Sequence, residues 1–180
     1  MSDPPVLRQA APLGASNMTH SIILIFFCIT FINVFGQTNP DTDRQAVLKH
    51  NKIGEEYVFD RSKKNEFNRT ELTYLGQIRA KNGRVFKILI SSWYWGIAPR
   101  ATSRIVVYND RNQYIGNYYV AAPDDLPSKI ENNSLVFYNK NKKDCDSSLV
   151  QRISFYNGLP KEFFLECKNK TGDIYSFGNE

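Results

Sequence analysis

The sequence predicts an all-β domain: an antiparallel meander of about eight strands forming a sandwich or a barrel, with room for one short N-terminal helix. Three observations carry this prediction. From Glu71 onward, apolar and aromatic residues recur with period two in short runs. Turn residues punctuate the runs at short intervals, as in Asn82-Gly83, Asp110-Arg111-Asn112 and Asn157-Gly158. No long stretch carries the 3.6-residue period of a packed helix. Short turns join neighbouring strands antiparallel, because parallel neighbours need crossovers of about a dozen residues.

In chain order, Asp41 or Asp43 is placed to cap a short helix running to Lys49, with Ala46, Val47 and Leu48 inside. A first strand is expected in Glu55–Asp60, and Arg61–Thr70 reads as a charged loop. Leu72–Ala80 and Arg84–Trp95 flank Asn82-Gly83, a hairpin signal because both residues accept positive φ. In the second run Phe86, Ile88, Ile90 and Tyr94 share one face, while Val85, Leu89, Trp93 and Trp95 share the other. A strand apolar on both faces belongs in the middle of a sheet, covered on each side. Gly96–Thr102 breaks it.

Ser103–Asn109 and Gln113–Ala121 form a second hairpin rich in Val, Ile and Tyr. Ala122–Ser128 holds Pro123 and Pro127 and reads as loop. Ile130 and Leu135–Asn139 flank another turn. Leu149–Tyr156 alternates, and Asn157-Gly158 is expected to fold it back onto Lys161–Cys167, with Phe163 and Leu165 inward. Lys168–Gly172 turns into a last strand, Asp173–Phe177.

Upstream of this domain, Ile22–Phe35 is an apolar run of 14 residues. Spanning a bilayer takes about 20, so the length fits the apolar region of an export signal better than an anchor. Val34 and Gly36 would precede a cut before Gln37. Only Arg8 is basic in the first 36 residues, a weak n-region, which a start at Met18 would partly repair. The expected organisation is a leader or over-called start over 1–17, a signal peptide over 18–36 and a single β domain over 37–180. The protein is accordingly expected to be exported: periplasmic, cell-surface or secreted, and membrane-bound only if Ile22–Phe35 stays uncleaved. The abundance of Asn, Lys, Ile, Phe and Tyr is similar to that of exported proteins from AT-rich bacteria.

Taking the first 36 residues from the 180-residue chain leaves 144, enough for a real core, and a net charge still +5. The charges are interspersed except at Lys140-Asn-Lys-Lys143, which faces Asp144 and Asp146 and reads as a solvated loop; no nucleic-acid motif accompanies them, so nucleic acid is not an expected partner. Cys145 and Cys167 remain, a disulfide candidate in an oxidising compartment.

The catalytic inventory is thin. His20 lies in the signal, leaving His50 for any histidine-dependent chemistry. Neither a phosphate-binding glycine loop nor Gly-x-Ser-x-Gly nor His-Glu-x-x-His occurs. No catalytic residue, metal site or cofactor is therefore predicted. The carboxylate pairs Glu55 with Glu56, Asp124 with Asp125 and Glu162 with Glu166 remain, since a glycosidase needs only two. Asn68-Arg-Thr, Asn132-Asn-Ser and Asn169-Lys-Thr match the glycosylation acceptor pattern, which has meaning only in a eukaryotic secretory host.

Aromatic residues are the better candidates. Trp93, Tyr94 and Trp95 are consecutive, and Tyr114, Tyr118 and Tyr119 come from the next hairpin. Such side chains join apolar area to a polar handle and suit ligand surfaces as well as cores. The sequence thus points to an exported β domain binding a partner protein or a glycan without catalysis. The alternatives are a secreted carboxylate-dependent hydrolase and a membrane-anchored envelope protein.

Overall fold

The computed structural model describes residues 40–139 and 142–179. The leader, the signal segment and the cleavage pair Gly36 and Gln37 lie outside the described residues.

Among the described residues a helix and ten strands follow one another. Helix α1 spans Pro40–His50, then come β1 (Glu56–Asp60), β2 (Phe67–Arg79), β3 (Val85–Gly96), β4 (Arg100–Tyr108) and β5 (Tyr114–Tyr119). A 3₁₀ turn at Pro123–Asp125 leads to β6 (Lys129–Glu131), β7 (Ser134–Tyr138), β8 (Val150–Ser154), β9 (Glu162–Lys168) and β10 (Thr171–Gly178). About eight strands were expected. Elements as short as the three-residue β6 are those that periodicity undercounts.

The strands form a seven-stranded antiparallel sheet, ordered β1-β2-β3-β4-β5-β10-β9, and a three-stranded sheet β6-β7-β8. The result is a sandwich rather than a closed barrel. The first five strands are a meander. The chain then leaves to build the small sheet and returns as the β9–β10 hairpin. There β10 joins β5 at Phe177↔Tyr118 and Gly178↔Asn117. Gly116 permits this seam, because a Cβ there would stand 2.5 Å from Phe177 Cζ and 2.6 Å from the Gly178 carbonyl oxygen.

Several local expectations are corrected. Asn157-Gly158 does not make a hairpin: β8 belongs to the small sheet and β9 to the large one, so the turn carries the chain between layers. At Lys81–Gly83 only Gly83 has positive φ, 82°, and closes a three-residue loop through its N–H to the Ala80 carbonyl, 2.9 Å. Strand β2 begins inside the stretch read as loop, because the turn Lys63–Glu66 lets Phe67 pair with Gly96.

Between the sheets lies the main core, including Ile78, Ile88, Ile105, Tyr118, Phe137, Phe155 and Phe163. On the opposite, outer face of the large sheet, Val47 and Leu48 of α1 pack on Leu72, Tyr74, Leu89, Val106 and Tyr108. Strand β3 is covered on both sides around Leu89, as its pattern predicts, but not at its Trp93–Trp95 end. Along β2 the sequence parity is interrupted by an extra residue between Tyr74 and Gly76. The bulge flips the alternation, so that Leu72 and Tyr74 face α1 while Ile78 faces the small sheet.

Helix α1 starts with Asp41 and Asp43 in its first turn, which complement the helix dipole. It ends where Asn51, at φ 54°, donates its N–H to the Val47 carbonyl, 3.2 Å. Three polar contacts pin it. Tyr108 Oη donates to Asp41 (3.0 Å), Gln45 to the Asn112 carbonyl (2.8 Å), and Arg61 pairs with Asp43 (2.9 Å). The small sheet is tied differently. Cys145 and Cys167 stand at disulfide-bonding distance, 2.09 Å. The Gln151 amide also mimics a strand partner for β9, accepting from Glu166 N (2.7 Å) and donating to Glu166 O (2.9 Å). That amide occupies backbone groups on the outer edge of β9, which would otherwise be open to pairing.

Candidate binding face

Helix α1 covers one end of the outer face and leaves the other end bare. Cross-strand register defines the bare end. Trp93 pairs with Thr70 and Thr102, and Trp95 with Asn68 and Arg100. Arg104 pairs with Ser91 and Tyr119. Directly paired residues project to the same side of a sheet. Trp93, Trp95, Arg100, Arg104 and Tyr119 therefore share the face that α1 occupies elsewhere.

The two indoles stack, with ring centroids 5.7 Å apart and planes at 28°. Each is anchored by its N–H. Trp93 Nε1 donates to Asn68 Oδ1 at 3.1 Å, and Trp95 Nε1 to Thr102 Oγ1 at 3.2 Å. Arg100 lies over the Trp95 ring at 5.8 Å, and Arg104 over the Tyr119 ring at 5.6 Å. The aromatic rings are thus fixed in orientation while remaining open to solvent: Trp93 is 40% exposed and Tyr119 49%. Aromatic groups held in this way lose little entropy when a ligand arrives.

The face continues across the β5–β10 seam. Tyr175, Phe163 and Leu165 are buried in the core, so the alternate residues Ile174 and Phe164 point outward. They are a direct cross-strand pair, 65% and 42% exposed. From β3 through β4, β5 and β10 to β9 is four strand spacings, roughly 19 Å at about 4.8 Å each. Exposed apolar groups occur on four of those five strands, and β4 contributes the two arginines.

The candidates read from the sequence divide accordingly. Trp93, Trp95 and Tyr119 lie on this face. Tyr118 does not belong to it. Its side chain is fully buried, packs against Phe155, Phe163 and Phe177, and donates to the Pro160 carbonyl at 2.6 Å. Strand alternation sends it inward because its neighbour Tyr119 goes out. Tyr94 is half-buried on the other side of β3, where burial first and then the Glu71 carboxylate raise its phenol pKa. Arg100, Arg104, Phe164 and Ile174 were missed. The arginines would have emerged had the break been read as ending at Pro99, because the three-residue turn Ile97–Pro99 sets Arg100 opposite Trp95.

The carboxylate pairs are dispersed. Glu55 pairs with Lys52 at 3.2 Å, Asp125 with Lys142, and Glu166 accepts from Lys170 N at 2.8 Å. The carboxylates with shifted pKa values move down, not up. Hydrogen bonds from Ser62 to Asp60, from Arg152 and Lys129 to Glu131, and from Ser148 to Asp146 hold these groups ionised. His50 stacks on Tyr57, centroids 5.5 Å apart. Among the described residues no group of three or more His, Cys, Asp or Glu is placed to hold a metal ion. The three acceptor-pattern asparagines, Asn68, Asn132 and Asn169, are all exposed.

Comparison with protein-family models, curated proteins and solved structures finds no match to this chain. The reading of the face therefore depends on its own chemistry.

Proposed function

We propose that this protein is an exported, non-catalytic β-sandwich module that binds an acidic-surfaced partner protein through the bare end of its outer sheet face. The observation that carries the reading is the row Trp93, Trp95, Arg100, Arg104 and Tyr119, continued by Ile174 and Phe164. Trp, Tyr and Arg are the residue types that dominate protein-interface energetics. Contiguous exposed apolar surface of this kind marks interaction sites. The face spans several strands of an open sheet, which suits a protein better than a small molecule, whose sites are concave. The two arginines and a net charge of +5 favour a partner carrying carboxylates.

Export is supported by the apolar run Ile22–Phe35 and is compatible with the Cys145–Cys167 pair. Among the described residues no helix is long and apolar enough to cross a membrane. The hydrolase alternative needs a carboxyl group with a raised pKa beside a second one, and the shifted carboxylates lie on the other side of their usual range.

The stacked indoles specifically favour one second reading, a neutral glycan lying on the rings. Titrating tryptophan fluorescence separates the two. Proteins captured from the native extracellular fraction are compared between wild type, Trp93→Ala and Lys129→Glu on the small sheet. A partner lost with Trp93→Ala and kept with Lys129→Glu is the expected result. Saturable fluorescence change with neutral oligosaccharides and no such partner would move the assignment to glycan. Equal capture by all three proteins would end the partner reading, and a flat fluorescence response the glycan one.

A further inference from the structure

At the end of the large sheet nearest the tryptophans, two turns stand side by side. One is Lys63–Glu66, between β1 and β2, and the other is Ile97–Pro99, between β3 and β4. Phe67 opens β2 opposite Gly96, which closes β3, so register makes the turns neighbours. Lys63, Lys64, Phe67 and Ile97 line one concavity of about 370 Å³ between them. We infer that this end of the sandwich is a membrane-docking tip, which seats Ile97 in the interface of an anionic lipid surface. It is a separate surface from the sheet face assigned above to a protein partner.

The turn Ile97-Ala98-Pro99 carries no charge, and all three residues are exposed. Ile97 is 86% exposed, more than any other large apolar side chain among the described residues. An isoleucine there adds nothing to the core, and turns ordinarily use Gly, Asn, Asp or Ser. One exposed apolar residue alone is unremarkable, but Phe67 stands beside it, 46% exposed. Phe67 projects to the inner side of the sheet, because its neighbour Asn68 shares the outer side with Trp95. Trp95 thus lies on one side of the sheet end, Phe67 on the other, and Ile97 beyond both. A surface laid on either face meets part of this set. A membrane met end-on meets all of it.

The charge at this end is complementary to acidic headgroups. Lys63 and Lys64 line the concavity against one carboxylate, Glu66, and Arg100 directly follows the apolar turn. Lys63, Lys64 and Arg100 are all exposed. Basic side chains around an apolar tip hold a protein to anionic lipid by attraction and burial together. The indoles stand at the matching depth. Trp95 is two residues before Ile97, roughly 7 Å at about 3.3 Å per residue. Interfacial helices bury their apolar face by about 5–10 Å, and Trp is enriched at the headgroup level. A turn tip is narrow, whereas a stable protein contact covers about 800 Å² per partner.

The tip is pre-formed. Lys63 N donates to the Glu66 carbonyl at 2.9 Å, and Glu66 N donates back to the Lys63 carbonyl at 3.1 Å. Asn68 N donates to Ser62 Oγ at 3.0 Å and ties this turn to β2. The indole N–H groups are held by Asn68 and Thr102, so the rings are oriented before lipid arrives. Binding turns carried on a rigid sandwich in this way are a common arrangement for recognition.

The chain has two tryptophans, Trp93 and Trp95, both at this end. Their fluorescence therefore reports the tip wherever else the chain touches lipid. The full chain is titrated with vesicles of phosphatidylcholine and phosphatidylglycerol whose acyl chains are brominated to quench nearby indoles. Vesicles of brominated phosphatidylcholine alone are the comparison. Quenching with a blue shift is expected on the anionic vesicles, and raising salt from about 50 to about 500 mM should weaken it several-fold. Ile97→Asp is expected to weaken it by at least about tenfold, and Ile97→Leu to keep it within about twofold. Lys64→Glu is expected to weaken it several-fold, and Lys129→Glu, an equal change of charge on the small sheet, to stay within about twofold. Thermal melts check folding, and Ile97→Leu and Lys64→Glu keep the test intact should the Asp variant fail to fold. Absence of quenching at millimolar lipid would overturn the inference. So would equal quenching by neutral vesicles, a response unchanged in Ile97→Asp, or equal losses in Lys64→Glu and Lys129→Glu. Each of those outcomes leaves the aromatic-face proposal standing, because its own readout is loss of partner capture in Trp93→Ala.

Discussion

The two ends of the outer sheet face are built on the same strands and treat the same residue types in opposite ways. Under α1, Tyr74 and Tyr108 are buried with Leu72, Leu89 and Val106, and the Tyr108 hydroxyl finds Asp41. Beyond α1, Trp93 and Tyr119 stay exposed, and their polar partners are Asn68 and a stacked arginine. An 11-residue helix cannot roof strands of 12 and 13 residues: about 1.5 Å per residue against about 3.3 Å in a strand leaves most of the face unroofed. What differs between the ends is therefore cover, not composition. An aromatic on this face stabilises the fold where the helix reaches it and is available to a ligand where it does not.

Replacing one tyrosine at each end gives the largest contrast. Tyr108→Ala is expected to cost about 3–5 kcal/mol, as buried aromatic truncations do. Tyr119→Ala should cost under about 1 kcal/mol, the size of an exposed cation–π contact. Urea unfolding of the two variants measures both. Similar losses would mean that Tyr119 is structural and that the bare end is simply a thinner part of the core.

This contrast also marks what the sequence could reveal. Alternation and turn residues were enough for the fold class and for most strand positions, because period two follows from pleat geometry alone. The two-sided apolar pattern of Val85–Trp95 announced a central strand with two covers. It could not reveal where the second cover stops, since Leu89 and Trp93 are equivalent by parity, and only the length and docking of α1 separate them. Tyr118 and Tyr119 were equivalent as aromatics until register with Ile105 and Arg104 sent one in and the other out. Insertion of β10 beside β5 was not legible either, because it depends on a pairing between residues about sixty apart in the chain (Tyr118 with Phe177).

The inner cover provides a second comparison, since it is tied by a covalent crosslink while α1 is tied by polar contacts. The Cys145–Cys167 pair spans 22 positions, and constraining a loop of that size contributes about 3 kcal/mol through the unfolded state. The double variant Cys145→Ser, Cys167→Ser is expected to lose that amount. Hydrogen exchange should then rise first in β8 and β9, where Gln151 bridges the layers, with α1 and β2 following only on global unfolding. Uniform loss of protection would show that the two covers act as one cooperative unit.

High pH offers a smaller and more selective probe of the roofed end. Burial, reinforced by the Asp41 carboxylate and partly opposed by Arg44, raises the Tyr108 phenol pKa well above its ordinary value. Burial does the same to Tyr118, and burial with help from Asp125 does it to Tyr175. Below about pH 10, the unfolded value, these phenols are protonated in both states and stability is unaffected. Above it the unfolded chain releases protons that the folded chain retains. Each tyrosine then withdraws up to about 1.4 kcal/mol of stability per pH unit until its folded pKa is reached. Tyr108→Phe keeps the ring under α1 and removes the proton. It is expected to cost about 1 kcal/mol at pH 8, the value of a hydrogen bond. It should also reduce the alkaline slope of unfolding free energy by about one proton between pH 10 and 11.5. An unchanged slope would mean that water reaches the Tyr108 hydroxyl and that α1 does not seal the end of the sheet it covers.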